Sequence, residues 1–234
     1  PEEALTSVLI NLTDEQQTLN NVVIDANSAR DQFGDIDTFI NIDSGAHFWG
    51  STGDDVIISE NKQFYFTARH GGDDLIIIEG DWVHGTLEAG YNYDSGVNWD
   101  LRNNTFEYSI DGVTHTVTVD GNLHGIAGST QDDVLTGNDL NNAFKGNSGD
   151  DHLIGLGGDD YFFFHWNQGG TVTAEGGTGD DKYFYNAEPG VHIIQEEEGF
   201  ETIIFDYPSS SNGGFGSPYR EGDDLIYING NGSS

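Results

Sequence analysis

Residues 146–164 read GNSGDDHLIGLGGDDYFFF, so Gly149-Asp150-Asp151 recurs nine residues on as Gly158-Asp159-Asp160. Paired carboxylates beside glycine are hard oxygen donors held in a flexible turn. Such donors suit a cation that takes about 6–8 oxygens, with turn carbonyls completing the set. The unit is glycine, x, x, glycine, x, aspartate, x, apolar, x. Contiguous windows GSTQDDVLT, GNDLNNAFK, GNSGDDHLI and GLGGDDYFF place Asp133, Asn142, Asp151 and Asp160 at its sixth position. Separated copies add Asp181 in GGTGDDKYF, Glu201 in EEEGFETII and Asp224 in YREGDDLIY. Upstream, GSTGDDVII presents Asp55 and RHGGDDLII presents Asp74.

The elements that must position these acids follow from the unit itself. Glycines at the first and fourth positions allow a tight turn with positive φ. The last three residues form a very short strand whose central apolar side chain points inward. Two units then make one coil, strand-turn-strand-turn, and coils stack into a parallel solenoid in which each buries its apolar residues against its neighbours. Asp133 and Asp151 fall on one edge of successive coils, Asn142 and Asp160 on the other. Stacking brings such carboxylates within about 4.8 Å. At ~5 Å two unit charges repel by roughly 3 kcal/mol at an effective dielectric of about 20. Several such pairs exceed a typical net stability of roughly 5–15 kcal/mol. The stack therefore calls for a cation between its turns. Ca²⁺ fits the oxygen donors; Mg²⁺ demands stricter octahedral geometry, and Zn²⁺ favours His or Cys. A single Gly-Asp-Asp copy reads equally well as an exposed turn, and the longer Glu201 as a solvated side chain. The contiguous run 128–163 argues against the plain-turn reading.

Composition supports the same picture. The chain carries 41 acids against 7 Lys plus Arg, a formal charge of -34. Such a surface repels nucleic acid and anionic lipid and attracts cations. High net charge with 35% hydrophobic residues is a signature of disorder, yet 14 Phe, 10 Tyr and 4 Trp sit in short β-branched runs. The expectation is a chain that is disordered without a cation and ordered with one. No cysteine is present, which excludes disulfides and thiolate metal sites. No apolar run is long enough for a membrane-spanning helix. The start at Pro1 and the lack of methionine point to a piece excised from a longer protein.

A longer period overlies the nonapeptide. GSTGDD at Gly50 recurs as GSTQDD at Gly128, an offset of 78, and SVLINLTD near Ser7 resembles SGVNWDLRN near Ser95. This reads as a duplicated block, with 1–127 a degenerate repeat region carrying strand-rich insertions and 128–234 the regular repeats and their flank, in one continuous solenoid. Thr105–Val119 alternates apolar and polar residues around Asp111-Gly112, a hairpin signal. Thr13 with Gln16 suggests a capped short helix over DEQQTLNN, and PSSSNGGFGSP reads as a loop.

The glycine-aspartate nonapeptides resemble the repeats-in-toxin (RTX) calcium-binding family, specifically over 128–163 and more loosely over 50–78 and 176–227. The resemblance implies an all-β fold, a right-handed parallel β-roll or β-helix solenoid with calcium ions between turns and hairpin or loop insertions. It implies that the sixth-position side chains are the metal ligands: Asp55, Asp74, Asp133, Asp151, Asp160, Asp181 and Asp224, with Asn142 and Glu201 as departures at the same position. Gln131 departs at the fourth position, and the spacings of 21, 20 and 23 after Asp160 depart from a regular roll. Members of the family are bacterial and leave the cell by type I secretion. A secreted or cell-surface module that folds on meeting extracellular calcium is therefore expected, since a ligand that binds only the folded state stabilises it.

No metalloprotease, nucleophile-elbow or phosphate-loop motif occurs. The eight histidines are scattered, and His115 and His192 read as half-buried strand residues. The fragment is therefore not expected to be an enzyme. Two rivals remain: an adhesin module that binds extracellular glycan or protein through insertions 79–127 and 164–175, and a polysaccharide-active β-helix enzyme. In Tyr161-Phe162-Phe163-Phe164-His165-Trp166, alternate residues are expected to fill the interior. Trp82, Trp99 and Trp166 are the candidates for an exposed platform.

Overall fold

The apolar end of each nonapeptide is a strand. Val134–Thr136, Ala143–Lys145, Asp151–Ile154 and Tyr161–Phe164 follow one another with turns between them. The computed structural model describes residues 8–13, 15–19, 22–24, 26, 28–31, 36–38, 46–60, 63–79, 85–164, 170–186, 190–195, 202–206, 219–221 and 224–229. It is all-β, with parallel stacked coils forming a β-solenoid. Among the described residues no helix is long and apolar enough to cross a membrane. The chain divides into two compact units, one of residues 1–94 and 103–125, the other of 95–102 and 126–234.

In the second unit, alternate strands build separate parallel sheets. One runs Asn98–Asp100, Val134–Thr136, Asp151–Ile154, Thr171–Glu175 and Gly190–Gln195. The other includes Ala143–Lys145, Tyr161–Phe164, Lys182–Asn186 and Thr202–Asp206. Strand alternation sends every second side chain inward. The first sheet stacks Trp99, Leu135, Leu153 and Ala174 in one inward column, all nearly fully buried. The second stacks Phe144, Phe162 and Tyr183, with ring centroids 5.0 and 4.9 Å apart and planes within 12° and 8° of parallel. Such offset stacks contribute roughly 0.5–1.5 kcal/mol per pair beyond area burial.

The first unit repeats the plan. Val8–Asn11, Val56–Glu60, Asp73–Glu79 and Val113–Asp120 are parallel neighbours in one sheet. Ala46–Trp49, Phe64–Ala68 and Gly85–Ala89 are parallel neighbours in the other. Ile57, Ile76, Phe64, Phe66 and Leu87 are buried between them. The Asp111-Gly112 hairpin is present: Thr105–Ile110 pairs antiparallel with Val113–Asp120, and both turn residues have positive φ, 52° and 74°. Asp94 accepts the backbone N–H groups of Asp111 and Gly112 and so pins the turn.

Several expectations change. The helix over DEQQTLNN is replaced by the strand Gln17–Leu19, hairpinned to Val22–Ile24. Thr13 does organise a turn, but its hydroxyl serves Asn11 and Glu15. The segments read as insertions contain rungs of the solenoid: Gly85–Ala89, Asn98–Asp100 and Thr171–Glu175 pair as regular parallel strands. They lack the glycine-aspartate signature but keep the inward pattern. Trp99 is 1% exposed, a core residue and no platform; Trp82 and Trp166 lie outside the described residues. His192 is fully buried, stacked on Phe164 at 4.8 Å.

The aromatic column is fully buried in the second unit. Phe162→Ala is expected to lower the unfolding free energy by about 3–5 kcal/mol, and Leu140→Ala, at an exposed site, by under about 0.5 kcal/mol. Denaturant midpoints at fixed cation concentration check both.

Candidate metal centre

At the corner where each turn enters a strand, the backbone N–H has no strand partner of its own. The sixth-position side chain of the following coil supplies the acceptor. Asp133 N–H donates to Asp151 Oδ1 at 3.1 Å, a separation of 18 residues. Asn142 N–H donates to Asp160 Oδ1 at 2.7 Å, and Asp160 N–H to Asp181 Oδ1 at 2.8 Å, a separation of 21. Asp55 N–H donates to Asp74 Oδ1 at 3.0 Å, a separation of 19. The spacings of 19 and 21 therefore do not break the ladder. The three extra residues between Asp160 and Asp181 are accommodated while Tyr161 stays in register with Lys182.

The fifth position works in the opposite sense. Asp54, Asp132 and Asp159 each accept a backbone N–H from the next coil, from Asp73, Asp150 and Asp180 at 2.8–3.0 Å. Asn141 does the same for Asp159. These fifth-position side chains are exposed, whereas Asp55, Asp74, Asp133, Asn142, Asp151, Asp160 and Asp181 are at most 3% exposed. Each Asp-Asp pair thus has an outer carboxylate reaching forward and an inner one reaching back.

The structure brings the inner acids together as three pairs among the described residues: Asp55 with Asp74, Asp133 with Asp151, and Asp160 with Asp181. Asn142 precedes the third pair as a neutral isostere. Valine bounds two of the ladders. Val8 and Val97 donate their N–H groups to Asp55 and Asp133 at 2.6 and 2.7 Å. Val117 stands opposite Asp74, and Val172 opposite Asp151. Glu201 lies outside the described residues. Asp224 opens the strand Asp224–Asn229, which runs antiparallel to Gly190–Gln195, so the parallel repeat does not extend to it; its side chain lies outside the description.

Two residues that sequence reasoning overlooked are Ser51 and Ser129. Ser129 donates its N–H to Asp133 Oδ2 at 2.6 Å and its hydroxyl to Oδ1 at 3.0 Å. Ser51 does the same for Asp55, at 2.6 and 2.7 Å. Their hydroxyls also accept the N–H of Gln131 and Gly53. Outside glycine only Asp111, Asn147 and Leu156 have positive φ among the described residues, so Gln131 carries no left-handed strain. The identical GST triplets of the two blocks were the available signal.

The inner carboxylates pack on glycine. A Cβ on Gly146 would lie 2.2 Å from Asp151 Oδ2, and one on Gly155 would lie 2.2 Å from Asp160 Oδ2 and 2.4 Å from the Gly176 carbonyl oxygen. Carboxylate and next-coil carbonyl oxygens therefore converge over the bare glycine face. Asp74 Oδ2 and Asp151 Oδ2 are buried without a hydrogen-bond donor. Burial, joined by the neighbouring carboxylates, pushes Asp74 up to about 8 and Asp151 up to about 7 from 3.8. Asp133 is pushed up only to about 6, because Val97 and Ser129 donate to it. Among the described residues no three His, Asp, Glu or Cys side chains cluster as a metal-holding group. A cation here would take carboxylates from two coils and fill its sphere with backbone carbonyls. That donor set is all oxygen and fits a hard ion.

No protein-family model matches the chain, and no curated protein matches it significantly.

Two outcomes follow. Asp74, Asp133 and Asp151 have folded pKa values above their unfolded 3.8. Their contribution to stability is full below about pH 4 and is lost as pH rises through about 6 to 8. His192, lowered to about 4 by burial, acts oppositely between about pH 6.5 and 4 but is one group against three. Cation-free protein should therefore show less β signal at pH 8 than at pH 5, read by far-UV circular dichroism. Gly146→Ala should cost about 1–3 kcal/mol by overpacking against Asp151, measured from denaturant midpoints at fixed cation concentration.

Proposed function

We propose that the chain is a calcium-binding structural module of the RTX type, belonging to a secreted or cell-surface bacterial protein and carrying no catalytic activity of its own. The observation that carries this reading is the set of paired, buried inner aspartates, with Asp74 Oδ2 and Asp151 Oδ2 lacking any donor. The carboxylates of Asp133 and Asp160 lie beside bare glycine and a glycine carbonyl oxygen, and that of Asp151 lies beside bare glycine. A divalent ion at each pair would compensate two charges that burial otherwise penalises. At Asp74 and Asp151 a backbone N–H holds Oδ1 in place and leaves Oδ2 for the ion. The formal charge of -34 disfavours compaction until cations bind, so calcium would act as a folding ligand. The resemblance of the nonapeptides to RTX repeats supports export in an unfolded state and folding outside the cell, where calcium is abundant.

The far-UV circular dichroism of chelator-treated protein at pH 7.5 should be coil-like and turn cooperatively to β signal on adding calcium. Calorimetry should count one ion per aspartate pair. Asp151→Asn, which keeps the Oδ1 acceptor but not the charge, should weaken binding at its pair at least tenfold. Asp150→Asn, at the exposed position, should change it less than threefold. A chelator-treated chain with an unchanged β spectrum and no calcium heat would overturn the proposal.

A further inference from the structure

The outer face of the first unit carries a second, unrelated grouping. Trp49 is 64% exposed. It ends the strand Ala46–Trp49 and faces Thr67 on the next rung, which faces Glu88 on the one after. The indole is not loose. The Arg69 guanidinium lies 5.8 Å from its ring centroid, and the His47 ring packs against it at 5.7 Å, tilted by 55°. His47 also packs on Tyr65 at 5.9 Å. Behind this platform the polar atoms are wired together. Thr67 Oγ1 donates to Glu88 Oε2 at 3.0 Å, and His47 Nε2 lies 2.7 Å from Thr67 Oγ1 and 3.0 Å from Glu88 Oε2. Among the described residues, Glu88 Oε1 and the five N–H donors of Arg69 make no hydrogen bond.

An exposed indole leaves apolar surface in water that folding does not bury. Here a cation–π contact and an aromatic edge hold it in one orientation, beside a preorganised acceptor and donor. We propose that this face binds a neutral glycan, with one pyranose ring stacked on Trp49 and hydroxyls of the same or the adjoining sugar bonded to Arg69 and Glu88. A pyranose has an apolar C–H face that suits an indole and equatorial hydroxyls that suit donors and acceptors at its rim. The rungs rise by about 4.8 Å, close to the length of one sugar unit, so a chain lying along the rungs meets Trp49 and Glu88 in turn. Charge selects the class. Arg69 and Glu88 balance, and Glu88 is the one acid among His47, Trp49, Tyr65, Thr67, Arg69 and Glu88. A polyanion would be repelled by the chain's overall -34. A polycation would be drawn to the exposed outer aspartates instead of to this face. The inference is independent of the calcium reading, because it uses none of the inner aspartates.

The test is titration of the folded full chain with cello-, xylo-, manno- and galacto-hexaose, read by calorimetry and tryptophan emission, beside a hexauronate and a lysine hexapeptide. At least one neutral hexaose should bind with a sub-millimolar Kd. Trp49→Ala should raise that Kd at least tenfold and Arg69→Gln at least threefold, with the β spectrum unchanged. Absence of binding by all four neutral sugars overturns the inference. So does a sugar affinity that Trp49→Ala leaves intact, or Trp49-dependent binding confined to the uronate or the peptide.

Discussion

The structure depends on one interaction: a buried carboxylate of one coil accepting the backbone N–H of the coil before it. Parallel strands satisfy their own N–H and C=O groups, but the corners between them do not, and a buried unpaired backbone group costs as much as a lost hydrogen bond. Here the side chain of Asp74, Asp151, Asp160 or Asp181 fills that gap. The solution constrains everything near it. The carboxylate occupies the space over the preceding turn, so the residue beneath, as at Gly146, has no room for a Cβ. The neighbouring acid is turned outward and forward, which makes the Asp-Asp dipeptide a two-way clasp between coils.

The same solution creates an electrostatic problem. Aspartates two by two are taken out of water, and Asp74 and Asp151 find a donor for only one oxygen. Asn142 shows the cheaper alternative, keeping the acceptor without the charge. That six of the seven inner positions hold ionisable aspartates is the feature that a purely architectural role does not account for. The proposed cation would relieve their burial, and protonation is the other available relief. The two compete for the same oxygens, which couples the proposed calcium response to pH.

The two units carry the same corner chemistry. Val8 and Val97 are equivalent first donors, Ser51 and Ser129 equivalent hydroxyl partners, Asp55 and Asp133 equivalent first acids. The segment 95–102 belongs with residues from 126 onward, although the hairpin residues between them belong to the first unit. The likeness of SVLIN to SGVNW was therefore a likeness of first rungs. Valine at the ladder ends is also physical: where no further carboxylate follows, an apolar side chain fills the corner without a charge to compensate.

The nonapeptide by itself determined the all-β coil, the strand positions, the two edges and the inward acids, because each is set within nine residues by turn sterics and alternation. The Asp111-Gly112 hairpin was legible for the same reason. What only the tertiary structure decided depends on residues 18 to 21 apart. Thr171–Glu175 is a rung because its inward Val172 and Ala174 meet a neighbour, although its turn signature is gone. Trp99 lies inside and Trp49 outside because one shares a column with Leu135 and the other a face with Thr67. Asp224 leaves the ladder because its strand returns antiparallel. A local repeat encodes the turn; register, which settles which side chains share a column and which meet solvent, is fixed only when one coil lands on another.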